Sequence, residues 1–295
     1  MDIEQIIGTG IGPECMRCLL DKAVGAYPDN APWQEQAEYL RRVLRIVADG
    51  SDSLTAPEIA QQQAAVLKEM FGIERDLTKE KHRFNQLVLG LEDVIGRRIA
   101  ESDDPLGFAI RCALVGNFID FGPTGDVSET KLLQLIDEAP HMRLDVGALA
   151  ELEGRIREAH TIAFLTDNCG EVVLDKLLIG QILHNNPQAQ VTAIVRGAPT
   201  SNDATMEDAL EVGLDTVCEV LGNGSDLAGT SPSRVNKRTR NALAHSDLVI
   251  AKGLANYETL SGRGANTRFL FLCKCALYQH VFDVPLHTGL IVAGV

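Results

Sequence analysis

What the chain lacks narrows its class first. No apolar run in the 295 residues approaches the roughly 18 that a membrane-spanning helix needs, so no membrane partner is expected. Bases are scarce: Lys plus Arg is 27 against 41 for Asp plus Glu, a formal net charge of −14, which disfavours nucleic acid and anionic membrane surfaces. Met1 to Gly12 has neither the charged nor the apolar region of a signal peptide, and the expectation is a soluble, cytoplasmic protein. Repeats and low-complexity tracts are missing, and only Gly222 to Ser233 reads as an extended loop. None of the seven histidines falls at a metal-pair spacing on a helix. Seven cysteines is an odd count in a chain too long to need staples, which favours thiol or metal roles over a disulfide framework. Gly8, Gly10 and Gly12 imitate part of a nucleotide-binding fingerprint, but no strand precedes them and Pro13 interrupts.

What is present divides into two halves. Apolar residues at three and four spacing predict helices over 14–26, 34–48, 56–71, 78–100, 106–115 and 128–138. Thr55 and Glu58 form a capping box ahead of the third, and Gly72 stops it. The break at Ala139-Pro140 is short and marks a change of architecture. From Thr161 onward β-rich runs alternate with helical ones, which implies βαβ units and a mainly parallel sheet, with one more strand over 286–293. The division predicted is an all-helical N-terminal subdomain, residues 1–155, and an α/β core, residues 156–295.

The stretch TIAFLTDNCGEVVLD, Thr161 to Asp175, organises the second half. An apolar strand runs into an acidic turn and then a helix, so Asp167 and Asn168 fall at the strand's carboxyl end, where open α/β sheets bind ligands. Adjacent residues of a strand face opposite ways, and both can reach one ion only if the chain leaves the pleat, as Gly170 allows. A carboxylate and a carboxamide oxygen suit a hard cation. Glu171 and Asp175 share one face of the helix.

Two further strands end in RGAPTSNDAT and AKGLANYETL. If the strands are parallel, Asp167, Asn168, Asp203 and Lys252 meet in one crevice. Three oxygen ligands with a lysine beside them are what phosphoryl chemistry uses, because its transition state gathers charge on phosphoryl oxygens. Taken singly, these acids and amides also serve as ordinary turn and capping residues.

Together with GNFIDFG (Gly116 to Gly122), CMRC (Cys15 to Cys18) and Lys274-Cys275, the motifs DNCGEVVLD, Asn202-Asp203 and KGLANYETL resemble the damage-control phosphatase family, in its stand-alone prokaryotic branch. The resemblance implies a three-layer α/β/α core, an all-helical N-terminal part and a divalent metal, Mg²⁺, Mn²⁺, Co²⁺ or Ni²⁺, held by Asp167, Asn168 and Asp203. It brings Asn117 and Asp120 to the substrate, makes Lys252 a phosphate contact, and adds Glu171, Asn256 and Glu258 to the pocket. Asp120 or Glu258 would handle protons. Attack by Asp167 itself, as in haloacid dehalogenase-type phosphatases, would want an acid at position 169, which is Cys169; Asp167 is read as a ligand and water as the nucleophile.

Cys15 and Cys18, with Cys275, are a candidate second metal or redox site, weighed evenly against small buried hydrophobes. Cys169, beside the ligands, suggests sensitivity to oxidation. The expected function is hydrolysis of small phosphate monoesters such as sugar phosphates. The alternatives are a non-catalytic metal-binding protein and a nucleotide- or methyl-donor-binding transferase, which the single Gly170 and the base Arg196 disfavour.

Overall fold

Six short strands make one sheet in the order β3-β2-β1-β4-β5-β6. They are β1 (Thr161–Leu165), β2 (Gln190–Val195), β3 (Glu219–Gly222), β4 (Leu248–Lys252), β5 (Thr267–Leu272) and β6 (Gly289–Ala293). β1 to β5 are parallel, and β6 returns antiparallel along β5, pairing Gly289 with Leu272. β4 and β5 are buried at every residue, as a parallel sheet covered on both faces requires. The order reverses between β1 and β4, so the loops that follow them splay apart and open a crevice at the sheet's carboxyl edge. The computed structural model describes residues 10–50, 52, 54–117, 129–262 and 264–294.

The chain forms two compact units. One comprises residues up to Asp76 with Cys275–Val284, and the other Leu77–Lys274 with Pro285–Val295. In the first, helices α1 (Pro13–Val24), α2 (Trp33–Gly50) and α3 (Ala56–Phe71) enclose Leu19, Tyr39, Val43, Ile59 and Val66. Thr55 and Glu58 make the reciprocal capping bonds expected of them, and Gly72 ends α3 in the left-handed conformation.

The second unit carries the sheet. Its helices α4 (Thr78–Leu89), α5 (Glu92–Ala100), α6 (Pro105–Gly116), α7 (Glu129–Glu138) and α8 (Val146–Glu158) precede β1, and α9 (Glu171–Asn185) follows it. The single helix predicted over 78–100 is two, because the chain turns at Gly90 and Leu91, whose N–H groups bond to Gln86 and Val88 carbonyls. α8 was not anticipated; the Asp145 side chain caps it by accepting the Ala148 N–H at 2.7 Å. α6 and α9 are apolar on nearly every side and share one core with Ile162, Phe164, Ala193 and Ile250 from the strands. α10 (Met206–Glu211) follows β2, α11 (Lys237–His245) precedes β4, and α12 (Leu254–Leu260) follows β4, while α13 (Ala276–Phe282) lies in the first unit. Among the described residues no helix is long and apolar enough to cross a membrane.

Candidate functional site

β1 leaves the sheet at Thr166, and the chain turns through Asp167, Asn168 and Cys169 to Gly170, which at φ 71 caps α9. Glycine is required there: a Cβ would meet Phe84 Cβ and carbonyl oxygen at 3.3 Å in a left-handed backbone. After β2 the chain returns as Asn202-Asp203 and runs antiparallel to this turn, with Asn168 opposite Asp203. Cys169 N–H donates to Asn202 O (2.8 Å) and Ala204 N–H to Asp167 O (2.7 Å). These bonds resolve the pleat problem, because Asp167 and Asn168 lie on a turn and both side chains reach the same side.

Their partners show it. Asn168 Nδ2 donates to Asp167 Oδ2 (2.9 Å) and to Glu171 Oε2 (3.0 Å). Asn117, at the end of α6, donates to the same two atoms at 3.0 and 3.1 Å. Two carboxamide NH₂ groups thus bridge two carboxylate oxygens that would otherwise repel. The β4 turn completes the wall: Gly253, at φ 80, leaves space that a Cβ could not share, since it would lie 1.9 Å from Asp167 Oδ2.

Lys252 stands beneath this layer. Its ammonium is fully buried and donates to Ala113 O (2.8 Å), Glu171 Oε1 (2.7 Å) and Asp175 Oδ1 (2.7 Å). An ammonium has three donors, and all are taken, so Lys252 as placed is an ion-pair hub with none left for a phosphate. Burial opposes its charge, but Asp175 and Glu171 together outweigh that and hold it above its usual pKa. Asn256 is likewise committed: it accepts from Thr230 Oγ1 (2.7 Å) and donates to Thr166 O (3.0 Å) and Lys252 O (2.7 Å). It ties the ends of β1 and β4 together. Glu258 is half-buried, two residues further along α12 and so on roughly the opposite side of that helix. Asp120 lies outside the described residues.

Arg196 is the residue that sequence reasoning undervalued. Fully buried at the end of β2, it donates Nε to Asp203 Oδ2 (2.6 Å) and Nη1 to Thr230 Oγ1 (3.2 Å). Among the described residues its Nη2 has no hydrogen-bond partner, and it lies 3.8 Å from Asp167 Oδ1. Its position at a strand's carboxyl edge, beside the Asn202-Asp203 turn, was the available signal.

Four buried carboxylates, Asp167, Glu171, Asp175 and Asp203, therefore face two buried cations, Lys252 and Arg196. Burial first, then the charges of Glu171 and Asp203, push Asp167 well above the ordinary carboxylate range, against opposing pulls from Arg196 and Lys274. Burial raises Asp203 too, with the Arg196 guanidinium and the Gly229 N–H resisting. Buried anions in excess are stabilised by a cation, and the carboxylate oxygens here are of the kind hard divalent ions take, with the Asn168 and Asn117 carboxamides turning their NH₂ groups toward them. Cys169 is fully buried, and burial drives its thiol pKa upward, so it is an inert core thiol rather than an oxidation sensor.

Cys15 and Cys18 lie on α1, half-buried and exposed, and Cys275 immediately precedes α13 in the same unit. Among the described residues no disulfide is formed, and no group of three or more His, Cys, Asp or Glu side chains is gathered for a metal.

A family model for the damage-control phosphatase ARMT1-like domain matches residues 11–288. A damage-control phosphatase of Archaeoglobus fulgidus is 30% identical over 294 residues, covering 97% of this chain and 99% of its own. A damage-control phosphatase of Pyrococcus horikoshii is 28% identical over 220 residues, 74% of this chain and 75% of its own. The crystal structure of a Pyrococcus horikoshii protein of the family once termed domain of unknown function 89 superposes with a TM-score of 0.81 at 22% identity, over 97% of this chain and 99% of that one. With the family model spanning nearly the whole sequence, the chain belongs to the damage-control phosphatase ARMT1-like domain family.

Proposed function

We propose that the protein is a divalent-metal-dependent phosphatase acting on small phosphate monoesters, with sugar phosphates or related damaged metabolites as the substrate class. The observation that carries this reading is the cluster of buried carboxylates at the switch point, Asp167, Glu171, Asp175 and Asp203, which outnumber the buried cations Lys252 and Arg196 beside them. The relatives' names supply the phosphatase activity, and the oxygen-only donor set at Asp167, Asn168 and Asp203 supports a hard cation such as Mg²⁺ or Mn²⁺. For Asn168 to present its oxygen, the carboxamide turns over, a change that keeps its shape.

When bound, a divalent ion supplies charge for a phosphoryl oxygen and lowers the pKa of water. The chain's own residues do the rest. Asp167, Asn168 and Asp203 would hold the ion, and Arg196, clamped by Asp203, would offer its Nη2 to a phosphoryl oxygen. Asn117 orients Asp167 and Glu171 from above. Lys252 fixes Glu171 and Asp175 from below, a supporting role in place of direct phosphate contact. Asp120, which the family resemblance brings to the substrate, supplies the proton that the leaving alcohol takes up, since Glu258 lies on the far side of its helix.

The strand order is also that of nucleotide-binding folds, but their phosphate turn needs several glycines. Here the turn after β1 has only Gly170, and the residue ending β2 is a base already paired with Asp203. The test is hydrolysis of an aryl phosphate by metal-stripped protein, with Mg²⁺, Mn²⁺, Co²⁺ or Ni²⁺ restored singly, beside a folded Asp167→Ala variant. Turnover restored by metal in the parent alone supports the reading. Failure of every metal, on the aryl ester and on a small phosphosugar set, overturns it.

A further inference from the structure

We infer that Asn85, on α4, is a positioning residue that locks the two ligand-bearing loops together from outside the crevice; the inference rests on the metal site proposed above. Its side chain is fully buried and fully used. Oδ1 accepts the Gly170 N–H at 2.7 Å, three residues after Asp167. Nδ2 donates to Asp208 Oδ1 (2.9 Å) and to Glu211 Oε2 (2.8 Å), on the helix that follows Asp203. One carboxamide therefore holds the β1 loop by a backbone donor and the β2 loop by two carboxylates.

Two neighbouring features make the clamp stiff. Asp208 is itself a cap: its Oδ2 accepts the Thr205 N–H (2.8 Å) and hydroxyl (2.7 Å), which fixes the chain two residues past Asp203. Lys81, one turn before Asn85, brings its ammonium within 2.6 Å of the same Oδ2. The buried Lys81 charge and the Thr205 bonds outweigh the desolvation of Asp208 and hold it ionised, below its ordinary pKa. Close packing of Gly170 on the Phe84 backbone leaves no slack at the other jaw. The direct loop-to-loop bonds set the spacing of Asp167 and Asp203, and α4 keeps that pair from hinging. Groups outside the ligand set that orient ligands commonly change metal affinity 10- to 100-fold when lost.

The experiment is calorimetric titration of Mn²⁺ into the metal-free full-length protein, with the Mn²⁺ dependence of aryl phosphate hydrolysis measured alongside. Asn85→Ala is expected to weaken Mn²⁺ binding about tenfold or more, while kcat at saturating Mn²⁺ falls only a few-fold. Gln86→Ala is the control, since Gln86 also bonds to Glu211 (2.8 Å) but from the exposed side, and it should bind as the parent does. The triple exchange Asn85→Asp with Asp208→Asn and Glu211→Gln keeps the acceptor for Gly170 and re-forms the bonds from position 85 to positions 208 and 211 with their direction reversed. It should recover most of the affinity, and it serves as the decisive variant if Asn85→Ala does not fold. Parent-like Mn²⁺ binding by Asn85→Ala, or a folded triple exchange that binds as weakly as Asn85→Ala or at least tenfold below the parent, overturns the inference. A parent that binds no Mn²⁺ removes the metal reading itself, and this inference with it.

Discussion

Lys252 Nζ lies 2.7 Å from Glu171 Oε1, and neither side chain is exposed to solvent. Asp175 receives the same ammonium at 2.7 Å. Removing the cation leaves two buried carboxylates facing each other with no opposite charge. Lys252→Met is therefore expected to destabilise the fold by about 3–5 kcal/mol, the cost of breaking a buried pair from one side. Urea unfolding checks it. A variant that folds with parent stability but raises KM alone would return Lys252 to the role of a phosphate contact.

Asp167 makes an opposite prediction. Its folded pKa is raised by burial and by Glu171 and Asp203, so between the ordinary carboxylate value and its own the folded protein keeps a proton that the unfolded chain has released. Stability of the metal-free protein thus falls as pH rises through that window. Asp167→Asn removes this loss, and the metal-free variant should melt higher than the parent at neutral pH while gaining nothing from Mn²⁺. Thermal melts of both proteins across pH, with and without Mn²⁺, read the sign.

Gly253 gives a steric test. A methyl group there would overlap Asp167 Oδ2 and would have to adopt a positive φ. Gly253→Ala should cost about 1–3 kcal/mol in backbone strain and displace the carboxylate, with a larger loss in activity than in stability. Comparing kcat/KM with the unfolding midpoint separates the two. Parent-like activity would mean that Asp167 is not needed where it lies.

Thiol labelling tests the burial of Cys169. Treated with iodoacetamide at mildly alkaline pH, the folded protein should lose Cys18, which is exposed, well before Cys169. Activity should survive the first label. Peptide mapping that finds Cys169 modified first would contradict its inert placement.

Much of this arrangement was legible in the sequence, and the parts that were not share a cause. The β1 turn could be read because an apolar strand, two polar residues and a glycine follow one another within ten positions, and the parallel sheet followed from alternating periods. Asn202-Asp203 could be placed because parallel strands end at one edge. Side-chain commitment could not be read. Lys252 looked available until Ala113, Glu171 and Asp175 were found to take all its donors, and those partners come from other elements. Asn85 sits in an ordinary amphipathic helix whose pattern reports burial but not what the buried amide touches. The same limit hid the break at Gly90, because a helical period continues across it. It also hid which helices would gather around the sheet, since amphipathicity names a buried face and not its neighbour.

The central place of β1 also has a consequence in time. Thr161, where β1 begins, bonds to Asp247 beside β4, 86 residues later. Closing so long a loop must precede formation of the crevice, and contacts of that separation form slowly. During synthesis the Asp167 turn emerges long before Gly253 and the strand that supports it. A growing chain therefore carries its cluster of acids unassembled, exposed to water and able to stay ionised there at no cost. Only when β4 pairs with β1 are these acids buried together, so the crevice is among the last features of the fold to form.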